Sequence, residues 1–238
     1  MIMKNLLLLS ILISVTTVFA QNKSITGNGK ITNKSFDLSN FKSIGSSISG
    51  KITINKSNNY HVNLTCDENL IDYIEVKIKE NTLKLEYKKG YSIKSKPVEI
   101  NIEMPELERV SSAGSADIEV IGSFNNNEFK ISSAGSGDIL VHSFNADKIN
   151  CSSAGSGNIE LKSGSVKNLD ISSAGSGDIQ TNKLNAENVK VSSAGSGNVV
   201  CNASNNLKIS SAGSGNISYS GEAKVSSSSV GSGSVKKL

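Results

Sequence analysis

Apolar and polar residues alternate with period two through most of the chain, and in the second half they do so in short runs that recur about every twenty residues. Phe129/Ile131, Ile149/Cys151, Leu169/Ile171, Val189/Val191 and Leu207/Ile209 each lead into an octapeptide of the form SSAGSGDI. Ile118/Val120, Ile139/Val141, Ile159/Leu161, Ile179/Thr181, Val199/Cys201 and Ile217/Tyr219 follow it. The residues between the leading pairs are polar: Lys130, Asn150, Asp170, Lys190 and Lys208. This is strand alternation and not a helical stripe. The octapeptides start at Ser111, Ser132, Ser152, Ser172, Ser192, Ser210 and, in degenerate form, Ser228. A period near twenty predicts a solenoid. Each unit reads as strand, AGSG corner, strand and a polar return that carries an apolar plug (Phe124, Phe144, Val166, Leu184). One unit cannot bury its apolar face alone, whereas units stacked about 4.8 Å apart can. The expected fold is all-β, a parallel β-helix with coils of about 20 residues.

The octapeptide then reads as a corner. The Ala column (Ala113, Ala134, Ala154, Ala174, Ala194, Ala212) is expected to face a tight interior, the Gly columns to supply positive φ, and the Ser columns to hydrogen-bond between coils. The column Asp117, Asp138, Asn158, Asp178, Asn198, Asn216 is expected to be an outward ladder. Stacked carboxylates about 4.8 Å apart would repel by on the order of 1 kcal/mol per neighbouring pair. Asn158, Asn198 and Asn216 relieve that repulsion and add amide donors, which favours a structural ladder. The rival reading is a calcium ladder on Asp117, Asp138 and Asp178. Calcium-binding β-helices use a shorter, nine-residue repeat with undiluted charge.

Residues 36–105 lack the octapeptide but keep the alternation, and are expected to form irregular β coils that cap regular repeats spanning 106–238. SISGKITI at 47–54 resembles a diverged corner, and DENLIDY at 67–73 a helical turn with Asp67 as N-cap. Residues 21–35 are expected to be a flexible lead-in. Residues 1–20 read as a signal peptide: Lys4, an apolar stretch Leu6–Val18, then Val18-Phe19-Ala20, with cleavage between Ala20 and Gln21. Export to the periplasm, the cell surface or the medium is the expectation, with no membrane-spanning segment after cleavage. Cys66, Cys151 and Cys201 lie in phase with apolar neighbours and are expected to be buried thiols.

FDLSNFKSI, KITIN, NLIDYIEVKIKENTLKLEYK, INIEMPELERVSSAGSADI and the repeated GSGDI/GSGNI occur in this order over about residues 36–235. In that order they resemble the auto-transporter adhesin "head GIN" domain family of exported bacterial proteins. The resemblance implies a right-handed parallel β-helix and no established catalytic residues.

Charge and chemistry narrow the function. The formal charge is +4, Arg109 is the sole arginine and tryptophan is absent, a poor set for reading nucleic acid. His61 and His142 lie apart, with His61 out of phase with the core; Arg109 is placed to pair with Glu106 or Glu108. No Ser/His/Asp, Cys/His or paired-carboxylate arrangement stands out, so neither catalytic residues nor a cofactor is assigned. The favoured reading is a non-catalytic binding or adhesion module that presents a repetitive surface to a glycan, matrix or envelope partner. The alternatives are a structural spacer in the envelope and, behind it, a carbohydrate-active enzyme.

Overall fold

The computed structural model describes residues 23–94 and 98–238. It is a nearly all-β solenoid of about six turns, a parallel β-helix as the periodicity requires. The signal peptide, its cleavage point at Ala20 and Gln21, and Pro97 lie outside the described residues.

Each coil contributes strands to two long faces. On one, Ile44, Val110, Ile131, Cys151, Ile171, Val191 and Ile209 stand in register. On the other, Ile52, Ile118, Ile139, Ile159, Ile179, Val199 and Ile217 do so. A short third face carries the plugs, where Phe144 stacks on Phe129 at 3.8 Å between ring centroids and lies parallel to Phe124 at 6.2 Å. These residues form one continuous core, so each coil buries its apolar side only because its neighbours do the same.

The corner differs from expectation in three ways, each with a physical reason. The Ala column points outward and is exposed. The inward positions are Ser112, Ser133, Ser153, Ser173, Ser193 and Ser211, at 2–5% exposure, and the glycines that follow them. The hydroxyls of this inward column, Ser46 included, find no hydrogen-bond partner among the described residues. Serines in register on neighbouring coils bond elsewhere, as Ser143 does to Ser123 at 3.3 Å, so it is the orientation held by the inward corner, and not coil spacing alone, that keeps these hydroxyls apart. Finally, the glycines do not serve positive φ: among the seven octapeptides only Gly231 has it, at +120°. They serve close stacking. A Cβ on Gly175 would lie 2.0 Å from the Gly155 carbonyl oxygen, and one on Gly177 would lie 2.1 Å from that of Gly157.

The N-terminal half is wound out of chain order. The coil made by Ser43–Ser46 and Ser49–Lys56 sits between Thr82–Tyr87 and Glu99–Met104 on one side and Arg109–Ser112 and Ser115–Ser133 on the other. Gly50 aligns with Ala116 and Lys51 with Asp117, so SISGKITI is the corner in diverged form. The end is closed by antiparallel pairs: Ile74–Lys79 on Thr82–Tyr87, and His61–Asp67 between Ile31–Phe36 and Glu99–Met104. The stretch 21–35, expected to be flexible, supplies Lys23–Ile25, which pairs with Tyr91–Ile93, and the start of the edge strand Ile31–Phe36. Glu68–Tyr73 is a 3-10 helix with Asp67 at its N-cap position, without a side-chain cap bond. At the other end, Ser227 replaces the inward Ile209 of the preceding coil. The last coil therefore exposes a hydroxyl where an Ile would otherwise meet water, although Val225, in register with Leu207, stays half-exposed beside it.

Cys66, Cys151 and Cys201 are free and buried. Burial pushes the thiols of Cys151 and Cys201 up to about 12, where almost no reactive thiolate exists at neutral pH. Two outcomes follow. Gly175→Ala forces two backbones apart and should lower Tm by on the order of 5–10 °C, whereas Ala174→Ser, on the outer side of the same corner, should leave it within about 2 °C; equal effects in thermal melts would refute the stacking argument. Cys151 and Cys201 should resist alkylation in the native protein at pH 8 and react fully in denaturant, as read by intact mass.

Candidate functional site

The Asx column forms an unbroken hydrogen-bonded ladder on the outer corner. The Asp138 amide donates to Asp117 Oδ1 (3.0 Å), the Asn158 amide to Asp138 Oδ1 (2.7 Å) and the Asp178 amide to Asn158 Oδ1 (2.9 Å). It continues through Asn198 on Asp178 (2.7 Å), Asn216 on Asn198 (3.0 Å) and Ser234 on Asn216 (3.1 Å). The need for it lies in the backbone. The Ser176 and Gly177 amides donate to the coil before, at Gly155, and the Ile179 amide donates to the coil after, at Asn198. The Asp178 amide sits at the switch of direction, and the short side chain of the previous coil supplies its acceptor. Where the donor coil carries Asn, its Nδ2 reaches the same oxygen, as at Asn158 on Asp138 (3.1 Å) and Asn198 on Asp178 (3.1 Å).

The ladder borders a groove of about 450 Å³ that is rich in carboxylates, among them Asp117, Glu119, Asp138 and Glu160. Glu119 is held by His142 Nε2 (2.9 Å) and Lys51 (3.2 Å), which keep its carboxyl below the usual carboxylate range, and Glu160 faces Lys183 at 3.8 Å. Among the described residues no three His, Cys, Asp or Glu side chains converge on a metal position. His61 is exposed on the antiparallel cap, apart from His142. Arg109 is exposed, and the carboxylates expected to pair with it belong to Lys42 instead, Glu106 at 2.6 Å and Glu108 at 3.6 Å. Arg109 points from the strand face, and Lys42 on the neighbouring coil reaches both glutamates first.

Two further grooves run along the solenoid. The larger, about 1090 Å³, lies where the polar returns stack. Ala146, Val166 and Ala186 share one column along it. Asn125, Asn145 and Asn185 line one side, and Asn127, Asp147 and Lys167 the other. Asn145 Nδ2 donates to Asn125 Oδ1 (2.8 Å), and Asn145 Oδ1 accepts from the Ser165 amide (3.0 Å). Lys167 and Asp147 pair at 2.6 Å. The second groove, about 640 Å³, follows the outer side of the corner and is lined by the Ser and Ala columns from Ser47 to Ala194, with Lys84 and Glu86 at one end. Sequence reasoning missed both. The returns (HSFNAD, SGSVKN, TNKLNAEN) vary in length and lack a shared spelling, so their register was visible only once the coils were stacked.

Among the described residues no helix is long and apolar enough to cross a membrane. No curated protein matches the chain significantly. Several solved structures do. A protein described as a putative adhesin from Bacteroides fragilis is 28% identical, with TM-score 0.86 over 90% of this chain and 100% of its own. One described as a putative lipid binding protein from Parabacteroides distasonis is 27% identical, with TM-score 0.73 over 91% and 100%. A second protein from that organism, described as a putative adhesin, is 25% identical with TM-score 0.70 over the same shares. The family model "Putative auto-transporter adhesin, head GIN domain" matches residues 40–223, from the first complete coil to the last but one. By this match, and by the coil architecture beneath it, the chain belongs to the head GIN domain family.

Proposed function

We propose that the protein is an exported, non-catalytic binding module of the adhesion type, and that its ligand is a glycan held in the amide-lined groove. One observation carries this reading: Asn125, Asn145 and Asn185 repeat along a continuous channel beside Asp147 and Lys167. Amides offer donor and acceptor side by side, the complement of a row of sugar hydroxyls. Ser165 fills the same column on the coil between Asn145 and Asn185, so a linear chain lying along the solenoid meets a polar hydrogen-bonding side chain at each coil step of about 4.8 Å. Family membership and the two similar proteins described as adhesins support it. The signal-like residues 1–20, with cleavage after Ala20, support export. In this reading the Asx ladder belongs to the scaffold, because its Oδ1 atoms accept from the corner amides. In the groove the Oδ1 atoms of Asn125 and Asn145 are likewise taken by the next coil, and Asn185 is the amide that, among the described residues, stands open to a ligand.

A second reading, binding of an acyl chain, is favoured by the groove of Ser and Ala, whose walls carry only small side chains apart from Lys84 and Glu86 at one end. The similar Parabacteroides distasonis protein described as lipid binding points the same way. The two readings separate in one experiment. On a glycan array and in fatty-acid displacement, the mature protein should bind glycans. Asn185→Ala, whose side chain makes no hydrogen bond among the described residues, should weaken that binding several-fold while moving Tm by less than about 2 °C. Loss of a fluorescent fatty acid's signal on Ala154→Leu, with no glycan bound by the wild type, would favour the acyl reading instead.

A further inference from the structure

The outward face of the sheet that carries Val110 through Ile209 divides into two halves of different charge. Two side-chain columns run along it, Glu128–Lys148–Asn168–Asn188–Asn206–Lys224 and Lys130–Asn150–Asp170–Lys190–Lys208–Ser226. In the first half the charges cancel locally. Lys130 pairs with Glu128 at 3.2 Å, Lys148 with Asp170 at 3.1 Å, and Asn150 donates to Glu128 at 2.8 Å. In the second half they do not. Lys190 and Lys208 stand directly opposite each other on neighbouring strands, and Lys224 lies one column across on the next coil. None of the three has an ion-pair partner among the described residues, and all three are exposed. The nearest carboxylate in register, Asp170, is occupied by Lys148.

Like charges directly opposite across a strand pair destabilise a sheet. The repeat offers an inexpensive remedy, because Asp, Glu or Asn occupies these columns elsewhere, yet the last three coils keep lysine. The arrangement also forms a groove of about 500 Å³, walled by Asn188 and Asn206 on one side and by Lys190 and Lys208 on the other. Asn206 Nδ2 donates to Asn188 Oδ1 at 2.8 Å, which fixes the amide wall. Residues 182–238 as a whole hold six lysines against two glutamates, and one of these, Glu222, is taken by Lys237.

We propose that this groove binds an acidic polysaccharide, a linear polymer bearing carboxylate or sulfate groups, along the solenoid axis. The three ammonium groups span two coil steps, about 10 Å, so they match charges repeated along a chain and not a single ion. The amides beside them suit the hydroxyls between those charges. The groove walls carry no arginine and no aromatic ring for base stacking. Of the apolar residues that line it, Val189 and Leu207 are buried at its floor, which leaves the half-exposed Val225 alone to enter a bilayer. The site lies on a different face from the amide-lined groove and does not depend on it.

Binding of the mature protein to heparin and to polygalacturonate, with dextran, anionic phosphatidylserine vesicles and duplex DNA as comparisons, tests the proposal at low and at moderate salt. Wild type should bind at least one acidic polysaccharide, more weakly as salt rises, and should not bind dextran through this face. K190Q/K208Q/K224Q should lose about tenfold or more in affinity, the single Lys208→Gln should fall between, and K130Q/K148Q should stay within twofold. The triple variant should melt no lower than wild type, since it removes repulsion. No binding to either polysaccharide overturns the proposal, as does an equal loss in K130Q/K148Q. Lysine-dependent binding to vesicles or DNA without polysaccharide binding assigns the face to another partner and also overturns it. Asn185→Ala leaves this binding unchanged if the two grooves are separate.

Discussion

Backbone-to-backbone contact at the glycine corner is the constraint on which the rest of the molecule depends. Successive corners stack so closely that the position of a Cβ is already occupied by the carbonyl of the coil before, as at Gly175 over Gly155. That carbonyl accepts from the amides of Ser176 and Gly177. Close approach therefore turns an exposed bend into a hydrogen-bonded element continuous with the strands on either side. It also sets the spacing at which the Ile and Val columns meet, so the thin core is a consequence of the corner as much as its cause. The Asx ladder completes the same device by supplying an acceptor to the Asp178 amide, which sits where the stacked backbones switch direction.

Once corner and core columns are committed in this way, the residues free to vary are those that point outward from the strands and returns. There the three grooves and the lysine face arise. Each is a column effect: a single Asn, Ser or Lys on a coil is an ordinary surface residue, and its repetition at coil spacing makes a lined channel. A solenoid thus builds extended, axial surfaces and not compact pockets, the geometry that the proposed long ligands require.

Period and alternation made the stacked coils, their inward columns and the buried cysteines legible in the sequence, because these depend on residue type at fixed spacing. Local composition misled at the corner. Ala and Gly are small for reasons a sequence does not distinguish, and packing space was expected where Ala113 and its equivalents face outward and the glycines answer to a neighbouring backbone. The inward place belongs to Ser112 and its equivalents, which alternation from Val110 already implied. The winding of residues 43–56 between later segments left no local trace, since a strand's partner across a sheet depends on topology and not on its own residues. The partner of Lys42 was hidden for the same reason. In the sequence Lys190 and Lys208 stand out only as polar positions of the alternation; their clustering with Lys224 is a matter of register.

The account's central claim concerns the corner, and native-state amide hydrogen exchange tests it most directly. The amides of Ser156, Ser176 and Ser196 lie in exposed bends that would exchange within seconds as free loops, but each donates to a glycine carbonyl of the preceding coil, at 3.0 Å in all three cases. They should exchange as slowly as Ile171 and Val191 in the adjoining strands, and the amides of Asp178 and Asn198, held by the ladder, should do the same. Corner amides that exchange orders of magnitude faster than those strand amides would contradict the account, because the corner would then be a loop carried by the core and not the contact that sets it.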